Sequence, residues 1–481
     1  MKIKGLVFCA TPRTLLFYFA VLILLLSVAI SELGFALNNP IIFIAGTLVL
    51  ALWFEIIFIA LLPETNNALV KYTNQLKRGA LIIFVLLILI GLSEALSIII
   101  VIPCLIHDQN VTVGFHQLLM EVEDGYKYND ASALSQQAVE SLLRGQNPYA
   151  RSNIIRALSK YNASYDRVTP LRTGSLSKVF PAPQDSQLEQ IWNKANHHPD
   201  LIPVELESRV CYPAASFLLP APFIFLGIED IRVVYAIFFL AGLAYAIWVI
   251  PKEKRLLFIG VALISLELWN SLADGGELGN LCFPFLMVAW LALNKNYWLS
   301  AICLGLAVAT KQTAWFFVPF YLILLFKTQG VKRLLTVLSI IAGVFVVTNL
   351  PFAMNDPKIW IISVMSPMTD KMFPLGSGLI TVVTSGLINI QSQLPFTILE
   401  GIAFVVAVIW YFKYCRSYPQ TGIILAIIPL FFAWRSLFSY FFYVDLIALA
   451  YIMVNDHTSQ WSPVCSKSRL WWTWTPGSGC S

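Results

Sequence analysis

Charge is what this chain has least of: only 12% of its 481 residues are charged, and histidine occurs five times. So few ionisable groups cannot cover the surface of a water-soluble protein of this size. The net charge of +5 is small, and no basic patch accompanies it, which excludes DNA or RNA as a partner. The eight cysteines include no Cys-x-x-Cys pair, which removes zinc ribbons and thioredoxin-like chemistry. His197-His198 has no third ligand at helical spacing and reads as exposed loop, so no metal and no cofactor is expected. Cys104 and Cys211 flank a polar insert and would pair if it is extracytoplasmic; unpaired buried thiols are the favoured reading. No repeat relates the two halves of the chain.

What the chain has in abundance is apolar residues, 58% of the total, gathered in long blocks such as 15–30 and 80–102. These runs are continuous rather than alternating, and in hydrocarbon only helices or closed barrels satisfy the backbone. The expected fold is therefore an all-α polytopic membrane protein. Lys2, Lys4 and Arg13 precede the first run as in a signal peptide, but later spans favour a retained first helix with a cytoplasmic N-terminus. About 12 transmembrane helices are expected, near 15–31, 41–62, 80–102, 232–250, 256–273, 278–293, 297–310, 312–326, 331–351, 395–412, 420–434 and 437–454. Two outer-leaflet segments, 213–228 and 376–392, do not cross.

Charge decides that arrangement. It gives the inner loops Lys252, Lys254, Arg255, Lys295, Lys327, Lys332, Arg333, Lys413 and Arg416, and the outer ones Arg232, Lys311, Lys358, Lys371 and Arg435. Nine inside against five outside obeys the positive-inside rule; the reverse orientation violates it. Residues 1–106 then form the first three helices, 107–230 a large extracytoplasmic loop with interfacial helices, 231–455 helices four to twelve, and 456–481 a Trp-rich disordered tail. The sequons at Asn110 and Asn162 have little weight.

Within the loop, Ala131, Leu134, Ala138, Ser141 and Leu142 recur at three- and four-residue steps, which predicts an amphipathic helix suited to a membrane surface. Asp130 stands at its expected N-cap, Gly145 ends it, and Asn147-Pro148 turns the chain. An Asp at a cap needs no further function, yet Asp130 is the best catalytic candidate and Asp124 its rival. The 30 residues from Tyr297 to Phe326 are too many for one span and too few for two. A hairpin whose tip is sunk below the outer surface resolves this, and the tip holds Lys311 and Gln312. A lysine there either snorkels outward or meets an anion, and the second reading is favoured because Arg435 lies at another outer tip. Asp274 and Glu277 face outward between spans, where loop solvation explains them as well as a site does, and the loop after Asn349 reads as an acceptor groove or an interfacial anchor.

Asp130 with its helix ending in GQNPY, then YPAASFLLP, GLAVATKQTAWFFVP and AWRSLFSYF, resembles the GT-C superfamily of membrane glycosyltransferases, and within it the mannosyltransferase-like family 87. The likeness runs from about Asp130 to Tyr443, and two helices precede the usual first one. It implies a polyprenyl-phosphate sugar donor, a glycan, lipid or protein acceptor, an extracytoplasmic site in a bacterial plasma membrane or ER membrane, and a loop carboxylate, Asp130 or Asp124, acting as base. Lys311, Gln312 and Arg435 are the implied donor-phosphate ligands, Arg as a bidentate fork and Lys as a point charge. The competing class is a secondary transporter of a polar or lipid-linked solute, which would bring paired broken helices and internal repeats. A third is a non-catalytic scaffold or lipid-binding protein.

Overall fold

A computed structural model describes residues 11–86, 89, 128–161, 163–264 and 276–455. It is mostly helical, and six of its helices are long and apolar enough to cross a membrane: Pro12–Ala36, Pro40–Leu61, Ile231–Val249, Gln312–Asn355, Leu394–Tyr414 and Phe438–Asn455. The protein is thus a multi-pass, all-α membrane protein. Asp124, Asp274, Cys104, Asn110, Asn162 and the 456–481 tail lie outside the described residues.

The first two spans form a tight hairpin. Each starts with a side-chain cap followed by proline, Thr11-Pro12 and Asn39-Pro40, which satisfies the free N–H groups of the first turn. Small residues then let the helices touch: Ser27 donates to the Gly46 carbonyl at 2.8 Å, and a Cβ on Gly46 would overlap the Ser31 hydroxyl. This pair is tied to the last span by buried Trp53, whose indole N–H donates to Asp445 at 3.3 Å.

Several expected spans are built differently. Helices Gly279–Ala292 and Tyr297–Val308 lie within two residues of the expected bounds, but with 14 and 12 residues they are short. At ~1.5 Å per residue neither covers the ~30 Å hydrocarbon core. The 420–434 segment is broken into short turns at Pro419–Thr421, Gly422–Leu425 and Ile428–Phe431, because Pro429 cannot continue the helix before it. Helix Phe317–Asn355 joins two expected spans, interrupted where Gly330 adopts φ 82°. The stretch after Asn349 is helix rather than loop: the turns run through Pro351 to Asn355, and Asp356 then caps Pro357–Thr369 by accepting from Ile359 N at 3.0 Å. Segment 213–228 holds helices of four and five residues, too short to cross.

The described part of the insert has its own apolar core, with Leu134, Val139, Leu158, Trp192 and Phe217 all buried. Helix Asp130–Leu143 does not lie on a surface by one face. It buries Ser132, Leu134, Ser135, Gln136, Val139 and Ser141 around most of its circumference, between Ile154–Ser159, Ala221–Phe225 and Ile231–Val249. Gly145, at φ 72°, ends it as expected.

Extended backbone knits the insert to the C-terminal half. Pro170 bridges Leu206 and Leu171 bridges Met372, both antiparallel, while β1 (Leu375–Gly376) pairs in parallel with β2 (Arg435–Ser436). A Cβ on Gly376 would sit 1.9 Å from the Ser436 carbonyl oxygen, so only glycine lets this register close. That register fixes the backbone under Arg435.

Candidate active site

Asp130 is not the N-cap. Asn129 is: its backbone is extended and its side-chain oxygen accepts from Ser132 N at 2.8 Å, while its amide donates to the Gly276 carbonyl at 2.9 Å. Asp130 is the first helical residue, with its carboxylate accepting from Ala131 N at 2.7 Å. Because Asn129 supplies the cap, the carboxyl of Asp130 has no capping duty. Burial pushes its pKa up; hydrogen bonds from the Thr169 hydroxyl and N–H, the Arg435 charge and the Ala131 N–H pull it back only in part. The result is a carboxylate more basic than a free one, still with a partly exposed edge.

Lys311 and Gln312 follow helix Tyr297–Val308 at a buried turn that leads into Gln312–Phe316. Lys311 does not snorkel. Its ammonium pairs with Glu277, with the side chains 7% and 20% exposed, and the Tyr440 ring lies 5.7 Å away. Glu277, which reads from sequence equally well as solvated loop or as site, also accepts from Gly279 N at 3.0 Å and is the counter-ion of the buried lysine. Gln312 spends both amide hydrogens on backbone, donating to the Cys211 carbonyl at 2.6 Å and the Val364 carbonyl at 2.8 Å. It locks the turn to the end of the insert, and its side chain has no donor left for a phosphate.

Arg435 is different. It forms no salt bridge among the described residues, yet its charge reaches both Asp130 and Tyr440. Burial lifts the Tyr212 phenol, with Cys211, Glu277 and Asp130 adding to the rise. Asp130, Lys311 and Arg435, far apart in the chain, are thus linked: the Arg435 charge acts on Asp130 and on Tyr440, whose ring lies 5.7 Å from the Lys311 ammonium. Cys211, which forms no disulfide among the described residues, has its thiol raised by burial and by the charges of Glu207 and Asp130.

Cys211 leads to a second group. Glu207 is 4% exposed; its Oε1 accepts from the Arg209 N–H at 2.8 Å and from Nε at 3.3 Å, and Arg209 also pairs with Asp370. The other oxygen, Oε2, is buried and accepts no hydrogen bond from the described residues. Burial, with the facing Asp370 carboxyl adding to it, pushes Glu207 up to about 7. Thr169 joins the two groups, donating to Asp130 while its carbonyl accepts from Glu207 N at 2.9 Å. Glu207, Arg209 and Asp370 line an open cleft of about 590 Å³, whereas Asp130 and Thr169 do not.

Thr169, Glu207, Arg209 and Asp370 were not legible as site residues. One local signal existed: in Glu207-Ser208-Arg209 the charges alternate, which on extended backbone points both to one side. His197 and His198 are exposed as expected, and no cluster of three metal-ligating side chains occurs among the described residues. Comparison with protein-family models, curated proteins and solved structures finds no match.

Proposed function

We propose that this protein is a membrane glycosyltransferase that moves a sugar from a polyprenyl-phosphate donor to an acceptor hydroxyl on the extracytoplasmic side. The observation that carries the reading is that a carboxyl made more basic by burial, Asp130, feels the charge of a guanidinium, Arg435, that has no salt bridge among the described residues. An acceptor hydroxyl oxygen attacks the anomeric carbon, the bond from that carbon to the phosphate oxygen breaks, and its electron pair leaves with the polyprenyl phosphate. Asp130 takes the hydroxyl proton. Arg435 is the primary phosphate ligand, offering a bidentate fork to an oxyanion that needs no proton once a cation neutralises it. Lys311, held by Glu277, adds its field from beside the phosphate, and Gln312 positions the turn that holds it. The scheme requires no metal. Discontinuous helices also suit a transporter, but a cap-free basic carboxyl beside a cation fits proton abstraction and phosphate departure better than solute passage.

Asp130→Asn tests the base. It keeps the shape and leaves the Asn129 cap untouched, so stability and donor binding stay close to wild type while turnover of a labelled polyprenyl-phosphate sugar falls by roughly 10² to 10⁴. Asp124→Asn is the control. Near-normal turnover in Asp130→Asn with a dead Asp124→Asn moves the base six residues upstream; full activity in both removes the mechanism.

A further inference from the structure

The geometry points to the cleft over Glu207, Arg209 and Asp370 as a saccharide subsite, in which the two carboxylates accept hydrogen bonds from neighbouring sugar hydroxyls and Arg209 donates to a third oxygen. As an acceptor site it rests on the glycosyl-transfer reading; as a binding site it does not. It narrows the acceptor from any hydroxyl compound to a glycan.

Four observations converge. Glu207 Oε2 is buried in a residue that lines the cleft, and no described residue donates to it. A buried carboxylate oxygen left unmatched is costly, and a proton shared with Asp370 satisfies it when the cleft is empty. Hydroxyls do so when the cleft is filled. Next, the charges on the wall balance: Glu207 and Asp370 against Arg209 and Lys371. A balanced wall of donors and acceptors suits a neutral polyol, whereas a divalent cation would meet the guanidinium and find no third carboxylate or imidazole among the described residues. Third, Leu171, Ile202 and Leu206 supply apolar wall for the C–H face of a sugar ring, and about 590 Å³ lies within the ~300–1,000 Å³ typical of small-molecule sites. Last, the wall of the cleft is coupled to the catalytic candidate through the protein: Thr169 hydrogen-bonds Asp130 and accepts from Glu207 N, and Cys211 feels the charges of both carboxylates.

The test is equilibrium binding to the full-length protein in nanodiscs, without donor and without glycoside detergents, which would compete. Saturation-transfer NMR and calorimetry with methyl glycosides of mannose and glucose and their disaccharides are the probes, with n-butylammonium and sulfate as the charged alternatives. Wild type binds at least one glycoside, and Glu207→Gln and Asp370→Asn each weaken it by about ten- to a hundredfold, the loss expected for a hydrogen bond to a charged group. Binding also weakens as pH falls below 7, because the shared proton then occupies the oxygen the sugar needs. Absence of glycoside binding, equal binding in wild type and both variants, or preference for the ammonium or sulfate probe overturns the subsite. Each variant is isosteric, and either alone suffices should the other not fold. Saccharide binding with no turnover on any donor leaves the subsite standing and refutes the catalytic reading; turnover with acceptor KM unchanged in both variants refutes the subsite alone.

Discussion

Removing the Lys311 charge separates a structural role from a ligand-binding one. The ammonium and the Glu277 carboxylate are largely out of water, at 7% and 20% side-chain exposure, and Glu277 is further held by Gly279 N. In Lys311→Met the carboxylate keeps its burial and loses its counter-ion, which costs roughly 3–5 kcal/mol, the penalty for breaking a buried pair from one side. In Lys311→Met/Glu277→Gln both charges are gone and the shape is nearly kept, so most of that loss is recovered. Unfolding free energies from SDS titration of wild type, both single variants and the double variant give the coupling directly. A coupling of roughly 3–5 kcal/mol or more, about the loss that the second change recovers, is expected. If Lys311→Met unfolds like wild type, or the two single effects simply add, Glu277 is not what holds this lysine and the account of the turn is wrong. Polyprenyl-phosphate binding measured on the double variant then reports what the Lys311 charge contributes to the ligand, free of the folding defect.

Two further outcomes follow from the site. Arg435→Ala weakens polyprenyl-phosphate binding by about ten- to a hundredfold with little change in stability, since it removes a partly exposed side chain without a salt bridge among the described residues; Arg435→Lys recovers part of the affinity, and unchanged binding in a flotation assay of both variants refutes the phosphate role. Glu207 titrates at about 7 in the folded protein, above the ordinary 4.5. Its contribution is thus fully present below pH 4.5 and lost as pH rises through 7, by at most ~3 kcal/mol shared with Asp370. Wild-type stability therefore falls between pH 5 and 8 more steeply than that of Glu207→Gln, and equal slopes contradict the buried carboxyl pair.

Local signals in the sequence determined the membrane class, most of the long apolar helices, the proline-led starts at Pro12 and Pro40, and the glycine end at Gly145. Each depends on residues within a few positions of one another, so each is written where it acts. Even there a neighbour intervened: Asn129 and Asp130 are both good caps, and the choice fell to Asn129 because its amide also reaches Gly276, 147 positions on. The helices at 279–292 and 297–308 and the polar turn at Lys311 fall where the sequence placed them, whereas 420–434 was misread as one span because hydropathy averages over a window and does not register the break that proline imposes. What tertiary structure alone decided is which charges meet. Lys311 has Glu277 as its partner, Asp130 feels Arg435, and Arg209 bridges Glu207 to Asp370. Coulomb forces act through space, and the distances in them are set by helix packing and by the bridges at Leu171–Met372 and Leu375–Arg435. No local period in the chain encodes those distances, so the sequence could nominate Asp130, Lys311 and Arg435 one at a time, and only the fold could assemble them.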